Sequence, residues 1–326
     1  MSKYIVTGAA GFIANRVSQM LLADGHMVVG IDNLNDAYDV RMKEHRLGML
    51  EGRDGFLFHP IDIADKQALD EIADDFQGAA GIINLAARAG VRASVENPWM
   101  YVDTNLTGTL NLLEVCRKFD IPKMVLASTS SVYGGDAPLP TPETAANNLP
   151  LQPYAASKFG AEAMAHAYHF LHNIDVTVVR YFTVYGPAGR PDMVMFRFGR
   201  WLVEGEPLHL NGDGTQSRGF TFVDDIARGT IQALRPLGYE IINLGGHESI
   251  TINGLIELME DITGKKGEIT HHPFPKADMK ANLADISKAQ ELLGWQPQVS
   301  LRDGVKRMMD WYMQNREWAK ELDLGL

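Results

Sequence analysis

The sequence predicts an α/β fold, a doubly wound parallel sheet followed by a smaller C-terminal lobe. Three observations predict it. Short apolar runs alternate with helical periodicity through the first 180 of 326 residues. A glycine-rich turn, Gly8-Ala9-Ala10-Gly11, separates the first apolar run from the first amphipathic stretch. After Tyr181 the segments shorten and Gly, Pro and Asp become frequent, as in Gly186-Pro187 and Asn211-Gly212-Asp213-Gly214. Strands that are apolar on both faces and separated by helices belong to a parallel sheet covered on both sides. The expected division is 1–180 for the sheet domain and 181–326 for most of the lobe, with room for the chain to cross back to the sheet.

Each element has its own reason. Ile5-Val6-Thr7 is a short apolar strand. Phe12 to Ala23 is a helix, with Ile13, Val17, Met20 and Leu21 at helical spacing. Met27 to Ile31 and Phe56 to Phe58 read as the next two strands, and Lys66 to Phe76 as a polar-faced helix. Gly81 to Leu85 is a fourth strand, followed by a long helix from Pro98 to Phe119. Lys123 to Ala127 is a fifth, the stretch to about His172 a helix, and Val176 to Arg180 a sixth strand. The lobe contains helical stretches near 253–263, 287–293 and 301–321. Met308, Met309, Trp311 and Tyr312 fall on one helical face and read as core.

Composition narrows the function classes. Hydrophobic residues make up 45% and charged residues 22%, the balance of a globular protein. A net charge of -11 argues against a general nucleic-acid binder and against an anionic membrane surface. No run approaches the ~18 apolar residues of a membrane span. Tyr4-Ile5-Val6 begins a strand almost at once, leaving no signal peptide, and the chain reads as cytoplasmic. Cys116 is the only cysteine, so no intramolecular disulfide forms. Its helical run, Leu112 to Cys116, marks it as a small buried hydrophobe. His271-His272 lacks further ligands at suitable spacing, so no metal site is expected.

The glycine turn points to a dinucleotide. Gly8 permits a tight turn, and Gly11 lets the backbone approach a pyrophosphate at the start of the helix that includes Phe12 and Ile13. Ala14 is small enough for close helix–strand packing. Asp32 ends the second strand about 20 residues on, where a carboxylate accepts bonds from ribose hydroxyls. It also repels a 2′-phosphate, so NAD is expected rather than NADP.

A second pair carries chemistry. Tyr154 and Lys158 are one helical turn apart on one face. A nearby lysine charge is expected to favour the phenolate and lower the tyrosine pKa, giving a base able to take a proton from an alcohol.

With these motifs the chain resembles the extended short-chain dehydrogenase/reductase family, and within it the UDP-glucuronate 4-epimerases. The resemblance covers nearly the whole length. It is carried by Thr7 to Ile13, Ile31 to Asp36, Ala89-Gly90-Val91-Arg92, Tyr154 with Lys158, Arg180 to Pro187, and Gly189 to Met193. It implies a Rossmann-type domain with bound NAD and a UDP-sugar substrate. Asn33 belongs to the segment that follows Asp32. Asp62 and Ile63 would contact adenine. Leu85, Ala86 and Ala87 would line the dinucleotide, Asn105 would help order the site, and Tyr181 would border the cofactor. The family forms homodimers through the helices near 98–119 and 153–172. Departures from the family pattern are Asn84 for a common histidine, Arg88 for a glutamine and Gly219 for an aspartate. Asp278 keeps an acid of the substrate segment but lacks the usual Gln or Arg three positions before it.

The end of the fifth strand reads Ser128-Thr129-Ser130-Ser131. By resemblance, Thr129 assists Tyr154 at the reacting 4-hydroxyl, and Lys158 holds the phenolate and the nicotinamide ribose. Nucleotide-sugar 4,6-dehydratases carry Asp-Glu where this chain has Ser130-Ser131, and decarboxylases carry a glutamate at the second position. A hydroxyl orients a group but cannot replace a carboxyl acid or base. The expected reaction is therefore epimerisation at C4, with transient hydride transfer to NAD and a 4-keto intermediate. For the substrate, Arg92, Arg190 and Arg218 are candidate anion-binding residues, since guanidinium forms bidentate bonds with carboxylate or phosphate. Resemblance puts Arg218 on the diphosphate, Arg190 near the nucleotide, and Met193 beside the uracil segment. Thr183 stands where hexose 4-epimerases usually carry asparagine. UDP-glucose/UDP-galactose epimerisation, decarboxylation and a non-catalytic NAD sensor are the alternatives.

Overall fold

The computed structural model describes residues 1–146, 149–246, 248–275 and 279–325. Its centre is a seven-stranded, wholly parallel sheet. Six strands come in sequence from the first part of the chain: β1 Lys3–Thr7, β2 Met27–Ile31, β3 Phe56–His59, β4 Gly81–Asn84, β5 Lys123–Thr129 and β6 Asp175–Tyr181. The seventh, Tyr239–Leu244, returns from the second half and pairs with β6 from Tyr239↔Val176 to Leu244↔Tyr181. The order is Tyr239–Leu244, β6, β5, β4, β1, β2, β3. The winding reverses between β4 and β1, and ligands in such sheets sit beyond the strand C-termini at that reversal.

Helices cover both faces of the sheet. Phe12–Ala23 buries Ala14, Val17 and Leu21 and packs against Val223–Gln232. The opposite face carries the helices Gly108–Lys118 and Pro153–His172. Pro153 starts the latter helix, where a missing N–H is harmless, and Asn173 ends it in the left-handed conformation at φ 55°. Cys116 lies in this core, and burial pushes its thiol well above the ordinary range.

Two expected helices are interrupted. The stretch from Lys66 divides at Ile72 into Lys66–Glu71 and Ala73–Phe76. The long helix becomes Trp99–Tyr101, a π-helical turn Val102–Thr107, and Gly108–Lys118. β5 runs two residues further than its apolar run, so Ser128 and Thr129 are the last residues of a strand.

The smaller lobe has its own core, built from the helices Val194–Glu204, Ile252–Thr263 and Leu301–Ala319. Met308, Met309 and Tyr312 are buried in it. Ser217–Phe222 is its central strand, pairing with Thr183–Tyr185, Ser249–Thr251 and Ala281–Asn282. Among the described residues no helix is long and apolar enough to cross a membrane. Nor does any group of three His, Cys, Asp or Glu residues stand close enough to hold a metal ion.

Candidate active site

A cleft of about 730 Å³ runs between the strand C-termini and the smaller lobe, within the size of small-molecule sites. Its floor begins at the glycine turn. Gly8 has φ +73°, and a Cβ there would lie 2.9 Å from the Ala86 nitrogen. A Cβ on Gly11 would lie 2.7 Å from the Gly8 carbonyl. Only glycine leaves this turn open beside Leu85, Ala86 and Ala87, and Phe12 and Ile13 then start the helix at the cleft wall. Asp32, 7% exposed, accepts bonds from the N–H groups of Ala10 and Leu34 and lies 3.5 Å from Lys43. That uses about three of its four acceptor positions and leaves capacity for a ribose hydroxyl. Asn33 donates to Asp62 at 2.7 Å, and both line the same pocket as Ile63. Glycine turn, carboxylate and apolar far wall together fit a dinucleotide.

Asn105 sits on the π-helical turn, a form frequent at functional sites. It accepts from the Arg88 N–H and donates to the Arg88 carbonyl and to Ser157, one residue before Lys158. It thus joins the loop after β4 to the helix of Tyr154. Asn84, in place of a histidine, accepts from Thr7 and donates to Thr109, whose hydroxyl donates to the Asn105 carbonyl.

Tyr154, Lys158 and Thr129 converge at the end of β5. Burial raises the Tyr154 pKa, and a hydrogen bond with Thr129 and the charge of Arg190 oppose that rise. The expectation that Lys158 draws the phenol down is therefore corrected for the protein alone. Lys158 donates instead to the Ala127 carbonyl at 3.0 Å. Burial pushes its own pKa down to about 8, against the pull of Glu162 one turn on. Glu162 in turn is locked to Arg180 through two bonds, Nε at 3.0 Å and NH2 at 2.6 Å, and accepts from Ser128. The Tyr101 ring stands edge-on to Tyr154, with centroids 6.1 Å apart.

At the strand end the Thr129 hydroxyl donates to the Ser131 hydroxyl at 3.3 Å, and Ser130 has a partner of its own. Thr129 Oγ1 accepts from the Ser131 N–H, and Ser130 accepts from Asn282 at 3.0 Å. Thr183, Arg92, Arg190, Met193 and Arg218 all border the cleft. Arg190 stands over the Tyr38 ring, bonds Asp192 through two of its three nitrogens and opposes the rise at Tyr154, which puts it at the Tyr154 end of the cleft. Arg218 donates to the carbonyls of Ser217 and Met279, so part of its donor set holds the chain. Tyr181 borders the cleft, and its hydroxyl is paired with Thr230 at 2.7 Å. Arg88 pairs loosely with Asp36 at 3.9 Å. A side chain on Gly219 would meet Leu283 at 3.0 Å and the Gly246 carbonyl at 3.1 Å, so the packing here suits glycine. Asp278 lies outside the described residues.

Four residues at the site escape motif reading. Lys43 and the fully buried Arg46 come from the helix Val40–Gly48. Arg46 bonds the carbonyls of Ala10 and Ala188 and the Tyr38 hydroxyl, tying the glycine turn to the loop before Arg190. Arg197 lines the cleft and is held by the Leu324 and Gly325 carbonyls. Asn282 lies on a two-residue strand. Charged side chains ordinarily mark a surface, so only the apolar Met42 and Leu47 beside Lys43 and Arg46 hinted at burial.

Comparison with known proteins agrees with this geometry. A family model described as the NAD dependent epimerase/dehydratase family matches residues 4–245. The chain is 54% identical to a UDP-glucuronate 4-epimerase of Thermodesulfobacterium geofontis, over 99% of both chains. It is similar in structure to the UDP-glucuronic acid 4-epimerase of Bacillus cereus in complex with UDP-glucuronic acid and NAD, with a TM-score of 0.89 and 37% identity, covering 96% of this chain and 99% of that one. The UDP-glucose 4-epimerase of Thermotoga maritima with UDP-glucose superposes with a TM-score of 0.90 at 32% identity, over 96% and 99% of the two chains. This chain belongs to the NAD dependent epimerase/dehydratase family.

Proposed function

We propose that the chain is a UDP-glucuronate 4-epimerase, which interconverts UDP-glucuronate and UDP-galacturonate through a 4-keto sugar. The observation that carries the reading is the strand end itself. Tyr154, Thr129 and Lys158 meet there, and Ser130 and Ser131 supply no carboxyl group for elimination. The 54% identity to a UDP-glucuronate 4-epimerase supports the uronate over the neutral hexose.

The cofactor-binding residues are Gly8, Gly11, Asp32, Asn33, Asp62 and the Leu85–Ala87 segment. NAD, when bound, supplies a cationic ring that takes up the C4 hydride and later gives it back. Tyr154 accepts the proton of the 4-hydroxyl and returns it to the inverted hydroxyl. Thr129 stabilises the phenolate through its hydrogen bond and Arg190 supplies positive charge beside it, while Lys158 would hold the nicotinamide ribose. Arg92, Arg190 and Arg218 hold the anionic parts of the UDP-uronate, with Thr183 and Met193 shaping the remaining wall. Because redox equivalents return to the same molecule, no external redox partner is needed.

A homodimer and a cytoplasmic location complete the reading. Trp99 and Phe170 are each 76% exposed, with Leu171 and Val102 also exposed on the same two helical segments. Large apolar residues exposed along these two helical segments favour a subunit interface.

Incubation with UDP-glucuronate and UDP-glucose separately, without added NAD, tests the activity. Conversion of UDP-glucuronate to UDP-galacturonate is expected. Conversion of UDP-glucose alone, or release of CO2, would refute it.

A further inference from the structure

We propose that Asn282 is a positioning residue for substrate choice, which fixes the Ser130 hydroxyl as a donor toward an acidic group on the sugar. The inference rests on the uronate reading above. Asn282 stands opposite Arg218 in the pairing of Ala281–Asn282 with Ser217–Phe222. On its other side the chain is held by Thr141, which donates to the Leu283 carbonyl at 2.8 Å and accepts from Asp285 at 3.0 Å. Its side chain is thereby aimed across the cleft, and Nδ2 donates to Ser130 Oγ in a buried bond of 3.0 Å.

The chemistry follows from which atoms carry protons. An amide NH2 donates only, so Ser130 must accept, and its single proton is left to be given elsewhere. Ser130 lines the cleft directly after Thr129, which bonds Tyr154. The group next to the reacting C4–OH therefore meets a hydroxyl of fixed polarity. Ser128 differs, since it already donates to Glu162. A C6 carboxylate only accepts, whereas a C6 hydroxymethyl both donates and accepts. A fixed donor favours the carboxylate, and a fixed acceptor would oppose it while tolerating the hydroxymethyl.

Asn282→Asp reverses the polarity, because a carboxylate takes the Ser130 proton and leaves only lone pairs toward the sugar. Asn282→Ala merely frees the hydroxyl. The kcat/KM ratio of UDP-glucuronate to UDP-glucose should fall about 10- to 100-fold in Asn282→Asp and by a smaller factor in Asn282→Ala. In a Ser130→Ala background neither change should move the ratio. Repulsion from the added charge alone would persist in that background, and that result overturns the inference. So does an equal loss on both sugars in protein that retains its circular dichroism and melting point, or an unmoved ratio. If Asn282→Asp does not fold, Asn282→Ala and its Ser130→Ala cycle decide the matter. A wild type that converts only UDP-glucose removes the uronate reading and this inference with it. A wild type active on UDP-glucuronate, with an unmoved ratio in the variants, overturns the inference alone.

Discussion

Replacing Lys158 by methionine should inactivate the enzyme and stabilise the fold. Lys158 is 3% exposed, and burial lowers its pKa from 10.5 to about 8. At ~1.4 kcal/mol per tenfold, holding it charged at pH 7 disfavours the folded state by about 3 kcal/mol. Methionine has similar length and no charge. The bond to the Ala127 carbonyl is lost, which offsets about 1 kcal/mol. The net gain is about 2 kcal/mol, or roughly 3 °C in Tm for a chain of this size. The sign also fixes the pH dependence. A lysine with a lowered folded pKa binds fewer protons folded than unfolded between about 8 and 10.5, so wild-type stability rises through that window. The variant's advantage is therefore full at pH 7 and fades toward pH 10. Calorimetry of both proteins without NAD, at pH 7 and pH 10, measures it. A variant that melts lower than wild type at pH 7, or an advantage that does not change with pH, would refute the reasoning.

Other consequences are as direct. Tyr154→Phe should lower turnover by about 10²- to 10⁴-fold, the range of a lost acid–base group, while NAD binding followed by calorimetry persists. Gly8→Val should abolish NAD binding, because a Cβ would press within 2.9 Å of the Ala86 nitrogen at φ +73°; unchanged binding would contradict the cradle. Phe170→Glu should convert the proposed dimer to monomer in light scattering, since it puts a charge on an exposed apolar helix position.

The parts of this protein that local sequence makes legible are those set by spacing. Gly8, Gly11 and Asp32 mark the strand–turn–helix because each answers a local backbone or ligand demand. Helix Phe12–Ala23 has the bounds its periodicity predicts. The return of Tyr239–Leu244 to β6 was open in the sequence as a crossing back, but no local pattern names its partner, since the pairing joins residues more than 60 positions apart. Lys43 and Arg46 were hidden because charge reads as surface, although here each finds buried partners. Asn282 belongs to a strand too short for any periodicity. Spacing alone does not set the Tyr154 pKa. One helical turn brings Lys158 near, but only the packed site shows its Nζ donating to Ala127 and burial raising the Tyr154 pKa.

In the proposed reaction, hydrogen leaves C4 of the sugar and returns to the same carbon from the other face. UDP-glucuronate carrying deuterium at C4, incubated with the enzyme in ordinary water, tests it most directly by nuclear magnetic resonance of the product. UDP-galacturonate that keeps its deuterium at C4 is the expected product. Product with protium at C4, or label appearing in water, would contradict it.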